Sequence, residues 1–146
     1  MLTLLLSGAL VSFVNFGIHA AMTGLIILAT HHTAGRVGHL HAIARMSVLL
    51  AITMAILMIA HVVEIGVWAA FLHIADVPIQ GAAAFEFAFE NFTALGYGDA
   101  LATGGWRAIG PVASLNGLLL IGWSIAIIFE VMRMAEIQVG WLARRN

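Results

Sequence analysis

Three long apolar segments, separated by shorter and more polar stretches, set the pattern of the chain. They cover about 2–29, 46–74 and 106–136. At about 1.5 Å per residue, each is long enough as a helix to cross a hydrocarbon core of about 30 Å. The first lacks a positively charged start and exceeds the apolar core of a signal peptide, so we expect it to be retained. The pattern predicts an all-α membrane protein with three transmembrane helices.

A fourth, shorter apolar run lies between the second and third segments. Residues 81–93 favour a helix only about 18 Å long, which can enter the membrane but cannot cross it. Pro78, in the preceding turn, breaks any helix that continues from the second segment. A re-entrant backbone is tolerated only where protein or water covers it. We therefore expect a pore helix here, beside a water-filled path.

The loop that follows this run alternates glycine with larger residues. Gly96 and Gly98 alternate with Leu95 and Tyr97, so every second position can take the positive φ that a side chain penalises. Such a chain can aim successive carbonyl oxygens at one side. Four copies around an axis would make stacked rings of oxygens that replace the hydration shell of an ion.

The run from Leu95 to Asp99 reads Leu-Gly-Tyr-Gly-Asp and resembles the selectivity filter of the potassium channel family, whose usual form is Thr-Val-Gly-Tyr-Gly-Asp. Its position after a pore-helix-like run and before a long apolar helix strengthens the resemblance, which covers about residues 46–136. The resemblance implies a prokaryotic potassium channel with an additional N-terminal transmembrane helix.

The same resemblance implies a four-fold symmetric homotetramer, because one copy cannot enclose a pore. It implies no catalytic residue and no organic cofactor. The bound ions are K⁺ in the filter, and the partners are three further copies of the chain and membrane lipid. The K⁺ ligands that it implies are the backbone carbonyls of Ala94, Leu95, Gly96, Tyr97 and Gly98.

Along the sequence we expect two parts. Residues 1–45 form the extra helix and a cytoplasmic connection rich in histidine and arginine, and residues 46–146 form the pore domain. Within the pore domain we expect an outer helix, a pore helix, the filter and an inner helix, followed by a short cytoplasmic tail. The bounds of these four elements are 46–74, 81–93, 94–99 and 106–136.

Residues around the filter take supporting roles by the resemblance. Ala94 replaces the innermost threonine of the family and Thr93 lies one step earlier, which predicts weaker ion occupancy at the innermost site and looser selectivity. Glu90 and Asp99 match a carboxyl pair that braces the filter in some bacterial relatives and would share a proton; two separately solvated acids are the alternative. Phe87 cannot donate the hydrogen bond that tryptophan supplies in many relatives, so we expect support by packing.

The third segment holds candidates for gating. Gly117 resembles the hinge glycine of the family's inner helix, and Gly122 is a second candidate; close packing between helices is the alternative for either. Glu130, near the inner end, would ring the inner mouth with negative charge and raise the local cation concentration. A salt bridge to Arg133 or Arg45 is the alternative for this carboxylate.

The composition agrees with a membrane protein. Of the 146 residues, 62% are hydrophobic and 9% are charged, whereas soluble domains carry about 25% charged residues. A formal net charge of −1 with no lysine argues against a nucleic-acid surface. The absence of cysteine excludes disulfides and thiolate chemistry.

Arginine placement predicts the orientation in the membrane. By the positive-inside rule, the side that carries more arginine is cytoplasmic. That side contains Arg36, Arg45, Arg133, Arg144 and Arg145, and the opposite side contains Arg107. We therefore expect a multi-pass protein of the cell inner (plasma) membrane, with its N-terminus outside and its C-terminus in the cytoplasm.

Polar residues inside the apolar segments form two pairs at helical spacing. Asn15 and His19 lie four residues apart, and His61 and Glu64 lie three apart, so each pair shares a helix face. Ionisable groups at that depth are functional candidates by default. Hydrogen bonds that simply hold the helices together are the alternative. Trp68, farther along, fits the outer membrane interface, where amphipathic rings settle.

The connection after the first segment raises an alternative function. A solvated interfacial loop is the preferred interpretation of this connection, but its four histidines could bind a metal or sense pH: His31, His32, His39 and His41. A histidine-dependent membrane metalloenzyme is therefore one alternative, although the membrane di-iron oxygenases that it resembles carry several such clusters. The other alternative keeps the channel fold and is a non-selective or weakly conducting cation channel. The preferred interpretation is a potassium channel and not an enzyme.

Overall fold

The computed structural model of the protein describes residues 1–143, and the side chains of residues 1–135. Arg144 and Arg145, used above to predict orientation, lie outside the described residues. Four α-helices account for most of the fold. They are α1 (Leu2–Arg36), α2 (Ala42–Ile74), α3 (Ala84–Phe92) and α4 (Ile109–Ala143).

Three stretches of the described chain are long and apolar enough to cross a membrane. They are Leu2–Arg36, Ala42–Ile74 and Gly104–Ala135. The prediction of three membrane-spanning helices is thus confirmed by length and composition. The structure also contains the predicted short helix between the second and the third. Helix α3 begins three residues later than predicted and ends one residue earlier.

The polar connection predicted for 31–45 is much shorter in the structure. Helix α1 continues to Arg36 and α2 begins at Ala42, which leaves residues 37–41 between them. Polar residues that follow the apolar segment do not end the helix, because their backbone groups continue the helical hydrogen bonds for as long as the residues have adequate helix propensity. The break falls at Gly38, and glycine costs about 1 kcal/mol in a helix relative to alanine.

A two-stranded antiparallel pairing, absent from our sequence prediction, flanks α3 and its loop. Strand β1 (Ile79–Gln80) pairs with β2 (Leu101–Ala102). Between β1 and α3, Gly81 has φ of +87°, and a Cβ there would overlap the carbonyl of Asp99. Only glycine fits this close approach, because it has no side chain and tolerates positive φ.

The chain packs as two compact units, each with its own apolar core. The first combines residues 1–19 and 60–122, and the second combines residues 20–59 with the chain from Trp123 onward. The division expected along the sequence, at residue 45, stays a prediction. The core of the first unit includes Trp68, Leu72, Phe87, Phe92, Ile109 and Leu120, and that of the second includes Ile26, Leu49, Leu57, Ile127, Val131 and Ala135.

In the second unit, the position of Arg45 differs from the one that we expected. We placed it in a solvated connection, but it lies in α2 and only 4% of its surface is exposed. Its Nη2 donates a long hydrogen bond of 3.5 Å to the carbonyl of Ala135. Arginine can bury its aliphatic stem among apolar side chains in this way, which a hydropathy pattern does not reveal.

In the first unit α4 packs closely on α3 through a row of small residues. A Cβ at Gly117 would overlap the backbone carbonyl of Phe92, and a Cβ at Gly110 would lie 2.5 Å from Oδ1 of Asn91. Between them along α4, Ser114 donates a hydrogen bond of 2.7 Å from Oγ to the carbonyl of Asn91. Positions 110, 114 and 117 share one helix face, so this small-residue face lets the two backbones approach.

Candidate functional site

The loop of residues 94–99, called the filter loop below, is held by the carboxyl end of α3. The amide of Ala94 donates to the carbonyl of Asn91 at 2.9 Å, and that of Leu95 donates to the carbonyl of Glu90 at 3.0 Å. Thr93 adds a hydrogen bond of 2.8 Å from Oγ1 to the carbonyl of Phe89. The last carbonyls of α3 therefore find partners in the chain that follows, and the start of the filter loop is fixed to the helix.

Every second residue of the filter loop has positive φ. The values are 55° at Ala94, 54° at Gly96 and 84° at Gly98. Glycine accepts this conformation without a penalty, whereas a residue with a Cβ pays about 1–2 kcal/mol. A β-branched threonine at Ala94 would be a worse fit, since bulky residues are outliers at positive φ. Alanine is therefore less strained than threonine would be at this site, although glycine would be less strained still.

The carbonyl oxygens of the filter loop are without donors in the single chain. Among the described residues, nothing donates a hydrogen bond to the carbonyls of 94–98. The side chains of Leu95 and Tyr97 are 55% and 71% exposed. No atom lies within 4 Å of where a Cβ would stand on Gly96 or Gly98. One chain therefore supplies one wall of a site and leaves the opposite side open.

Two acidic residues flank this wall. Glu90 lies buried on α3, and Asp99 is exposed at the end of the filter loop. Burial raises the pKa of the Glu90 carboxyl, and the charges of Asp99 and Glu86 raise it further. Within the described chain no hydrogen bond joins the carboxyl groups of Glu90 and Asp99, so their sharing of a proton stays a prediction. The electrostatic coupling that such sharing needs is present.

The phenylalanines of α3 divide between two environments. Phe87 and Phe92 are 3% and 1% exposed and belong to the core of the first unit. Phe85 and Phe89 are half exposed in the single chain, with ring centroids 6.3 Å apart. Among the phenylalanines of α3, Phe87 and Phe92 therefore pack within the core of the same chain, and support of the filter loop by Phe87 stays a prediction.

The gating candidates on α4 differ in their surroundings. The contact of Gly117 with Phe92 requires a glycine, which is the close-packing role considered above, and a hinge role there stays a prediction. Gly122 has open space around it. In the second unit Glu130 accepts two hydrogen bonds from Arg133, at 2.7 and 2.9 Å. The salt bridge weighed as an alternative for Glu130 is thus formed, between two exposed side chains.

Their spacing in the sequence predicts Asn15 with His19, and His61 with Glu64, as two separate pairs. The structure joins them in one cluster in the first unit. Nδ1 of His19 lies 2.8 Å from one carboxylate oxygen of Glu64, and Nδ1 of His61 lies 2.9 Å from the other. His19 and Glu64 are fully buried. The matching helical spacing of the two pairs was the one sequence signal that could have predicted their meeting.

A second set of hydrogen bonds extends this cluster to α4. Nδ2 of Asn15 donates to Oδ1 of Asn116 at 3.0 Å and to the carbonyl of Glu64 at 3.2 Å. The indole Nε1 of Trp68 donates to the same Oδ1 at 2.9 Å. Because indole can only donate, it determines which atom of the Asn116 amide faces it. We call Asn15, His19, His61, Glu64, Trp68 and Asn116 the buried polar cluster.

The structure corrects one expectation about these side chains, that of an interfacial Trp68, and agrees with another, that of solvated histidines after the first apolar segment. Trp68 does not lie at an interface but is fully buried, because its N–H finds a buried acceptor. The four histidines of the first connection are exposed. Within the described part of the chain they form no group close enough to hold a metal ion, whereas His19, His61 and Glu64 do.

A comparison with protein families gives one match. A family model described as an ion channel matches residues 58–134, which are 77 of the 146 residues. The matched range includes the end of α2, all of α3, the filter loop and most of α4. No curated protein and no solved structure matches the chain.

Proposed function

This chain belongs to the ion channel family, and from that premise we propose that it is a potassium-selective channel whose pore is formed by four copies. It is a membrane protein with three membrane-spanning helices. The family favours a channel over the membrane metalloenzyme considered from the histidines. Its ion would pass along the filter loops, through sites made by the carbonyls of residues 94–98.

The observation that carries this proposal is the row of carbonyls without donors. A backbone polar group away from water costs several kcal/mol if it has no partner. The alternating positive φ at 94, 96 and 98 aims such groups to one side. Four chains around an axis would gather them into rings, where K⁺ exchanges its hydration shell for carbonyl oxygens.

The electrostatics of α3 support a cation. The filter loop follows directly on the carboxyl end of this helix, where the helix dipole is negative. Four such ends would converge below the innermost ring and stabilise a positive ion in a water-filled cavity. Cations are thus favoured before the rings select among them.

The exposed surfaces of the single chain support assembly with three further copies. Phe85 and Phe89 on α3 and the side chains of the filter loop are uncovered in the single chain. A closed ring would cover them and complete the pore, with lipid around the outside. We assign the protein to the plasma membrane with its N-terminus outside, and we propose that Glu130 lies near the inner mouth.

A specific observation favours a second candidate, a non-selective cation channel of the same fold. Ala94 lacks the hydroxyl that threonine supplies to the innermost site in the potassium channel family. That site would therefore keep its carbonyl ring and lose a ring of hydroxyls. Such a site would hold K⁺ less tightly and would discriminate less well against Na⁺.

Planar-bilayer recording with K⁺ on one side and Na⁺ on the other tests the proposal. A selective channel reverses its current near the K⁺ equilibrium potential, and a non-selective one reverses near zero. Gly96→Ala, which places a Cβ at φ of 54°, should abolish the current, while Gly24→Ala in α1, with open space around the residue, should preserve it. Current that persists unchanged in Gly96→Ala would show that ions do not follow the filter loop.

A further inference from the structure

We propose that His19, His61 and Glu64 form a binding site for a divalent transition-metal cation of the Zn²⁺ type. The site lies among membrane-spanning helices, with one ligand from α1 and two from α2. It is separate from the filter loop and does not depend on which ion the channel conducts. Its ligand atoms all lie within 4.8 Å of one another.

The geometry needs little adjustment to admit a metal. Zn²⁺ binds imidazole nitrogen and carboxylate oxygen at about 2.0–2.2 Å, so its tetrahedral ligands stand about 3.3–3.5 Å apart. In the structure the Nδ1 atoms of His19 and His61 lie 2.8 and 2.9 Å from the oxygens of Glu64. These two distances must lengthen by about half an ångström, and the widest separation among the ligand atoms, at most 4.8 Å, must shorten by about 1.4 Å or less.

The donor set selects the class of cation. Two imidazoles and one carboxylate suit Zn²⁺ and its transition-metal neighbours, while K⁺, Mg²⁺ and Ca²⁺ prefer oxygen ligands. Three protein ligands also leave a fourth position for water, as in zinc sites that are not closed by protein. A neutral imidazole that binds a metal through Nδ1 carries its proton on Nε2, so a ring that donates from Nδ1 to Glu64 must change tautomer when the ion binds, with no net release of a proton.

The charge of the site also favours a cation. With both imidazoles neutral, the three side chains carry one negative charge on Glu64, which is fully buried. A buried charge is costly unless it is paired or binds a metal. No arginine of the described chain forms a salt bridge with this carboxylate. A divalent cation would compensate the charge.

The surroundings hold two of the ligands in place. Asn15 donates to the backbone carbonyl of Glu64 at 3.2 Å. The ring of Phe92 contacts the His61 ring edge to face, with centroids 5.8 Å apart. Groups of this kind around a metal site orient the ligands before the ion binds. The side chain of His61 is 21% exposed in the single chain, which leaves a route to the site.

The test measures Zn²⁺ binding to the full-length protein, purified in detergent with its affinity tag removed. Calorimetry and metal analysis should find one ion per chain. A variant with glutamine at the five other histidines keeps only His19 and His61, and it should bind with unchanged affinity. The five residues are exposed: His31, His32, His39, His41 and His73. Glu64→Gln and His19→Gln should each weaken binding by about 100-fold or more, since even groups that only orient ligands contribute about 10–100-fold.

A second measurement does not depend on how the variants fold. Co²⁺ added to the unmodified protein should show the intense visible bands of a four-coordinate ion, and Zn²⁺ should displace it. A purely hydrogen-bonded cluster would give neither the bands nor the stoichiometry, and this result would overturn the proposal. Binding that survives in Glu64→Gln but disappears from the five-histidine variant would overturn it too, because the metal would then belong to the exposed histidines.

Discussion

The filter loop and the buried polar cluster are opposite kinds of polar structure within one apolar fold. In the cluster Glu64 has both carboxylate oxygens hydrogen-bonded and no exposed surface. In the filter loop the carbonyls have no donor and Tyr97 is 71% exposed. Yet the two lie near each other, because the ring of His61 contacts that of Phe92, two residues before the filter loop.

This difference distinguishes the polar groups that find hydrogen-bond partners within one chain from those that do not. The cluster finds its main partners on α1, α2 and α4 of the same chain, so it contributes to the stability of the protomer. In the proposed channel, the filter loop would leave its polar groups for ions and for other copies, and it would contribute to ion passage. Substitutions in the first region should therefore change the free energy of unfolding, and those in the second should change ion selection.

The largest effect is expected at the centre of the cluster. Glu64→Ala removes a hydrogen-bond partner of one buried and one partly buried imidazole. It should destabilise the fold by about 3–5 kcal/mol, since each hydrogen bond to a charged group contributes about 1.5–3 kcal/mol. Thermal unfolding in detergent, followed by size-exclusion chromatography, measures it. Glu130→Ala is the matched control, because its exposed pair with Arg133 contributes about 0–1 kcal/mol. Equal losses in the two variants would contradict the contrast drawn here.

A smaller loss is expected where α4 meets α3. In Gly117→Ala the new methyl group would overlap the carbonyl of Phe92, and relief of that overlap should cost about 1–3 kcal/mol. Gly122→Ala should leave stability nearly unchanged. If Gly117→Ala keeps its unfolding temperature but alters the open probability, then Gly117 acts as a hinge and the packing role is wrong.

Ala94→Ser tests the filter loop with little effect on stability. Serine adds a hydroxyl at the innermost site without the β-branch that threonine would bring to φ of 55°. The permeability ratio of K⁺ over Na⁺ should rise. Ala94→Gly is the control, because it relieves the backbone and adds no hydroxyl. An unchanged ratio in the serine variant would mean that the innermost hydroxyl does not limit selectivity.

The smallest effect is a change in pH dependence. Because the pKa of Glu90 is raised above its ordinary value of 4.5, the native state holds this proton more tightly than the unfolded state does. Stability should therefore fall as pH rises from about 4.5 to the raised pKa. In Glu90→Gln this decline should disappear from unfolding curves recorded across that range. Asp99→Asn should make this decline smaller. If stability falls with pH as steeply in both variants as in the unmodified protein, the electrostatic coupling is contradicted.

The sequence predicted the features that depend on local pattern. Hydropathy alone predicted the three spans, and the alternation of glycine predicted the backbone of the filter loop. The errors lie where a partner is distant. The indole of Trp68 donates a hydrogen bond to Asn116, which is 48 residues away. Because this acceptor lies in the core, the ring is buried there and not at the membrane interface, where we expected it. Arg45 is likewise buried by a distant partner on α4. A short stretch of sequence contains only one member of such a pair, so its pattern cannot predict the contact.

The pairing of β1 with β2 has a further consequence. Its register joins Ile79 to Ala102, and Thr103 donates to the carbonyl of Pro78 at 2.9 Å just outside it. This strand pairing holds together the two ends of the segment that contains α3 and the filter loop. Because the ends of the segment are already joined, ordering the filter loop costs less conformational entropy. The filter loop and α3 should consequently shift as one body, so that a displacement at either end of α3 is transmitted to the carbonyl groups of the filter loop.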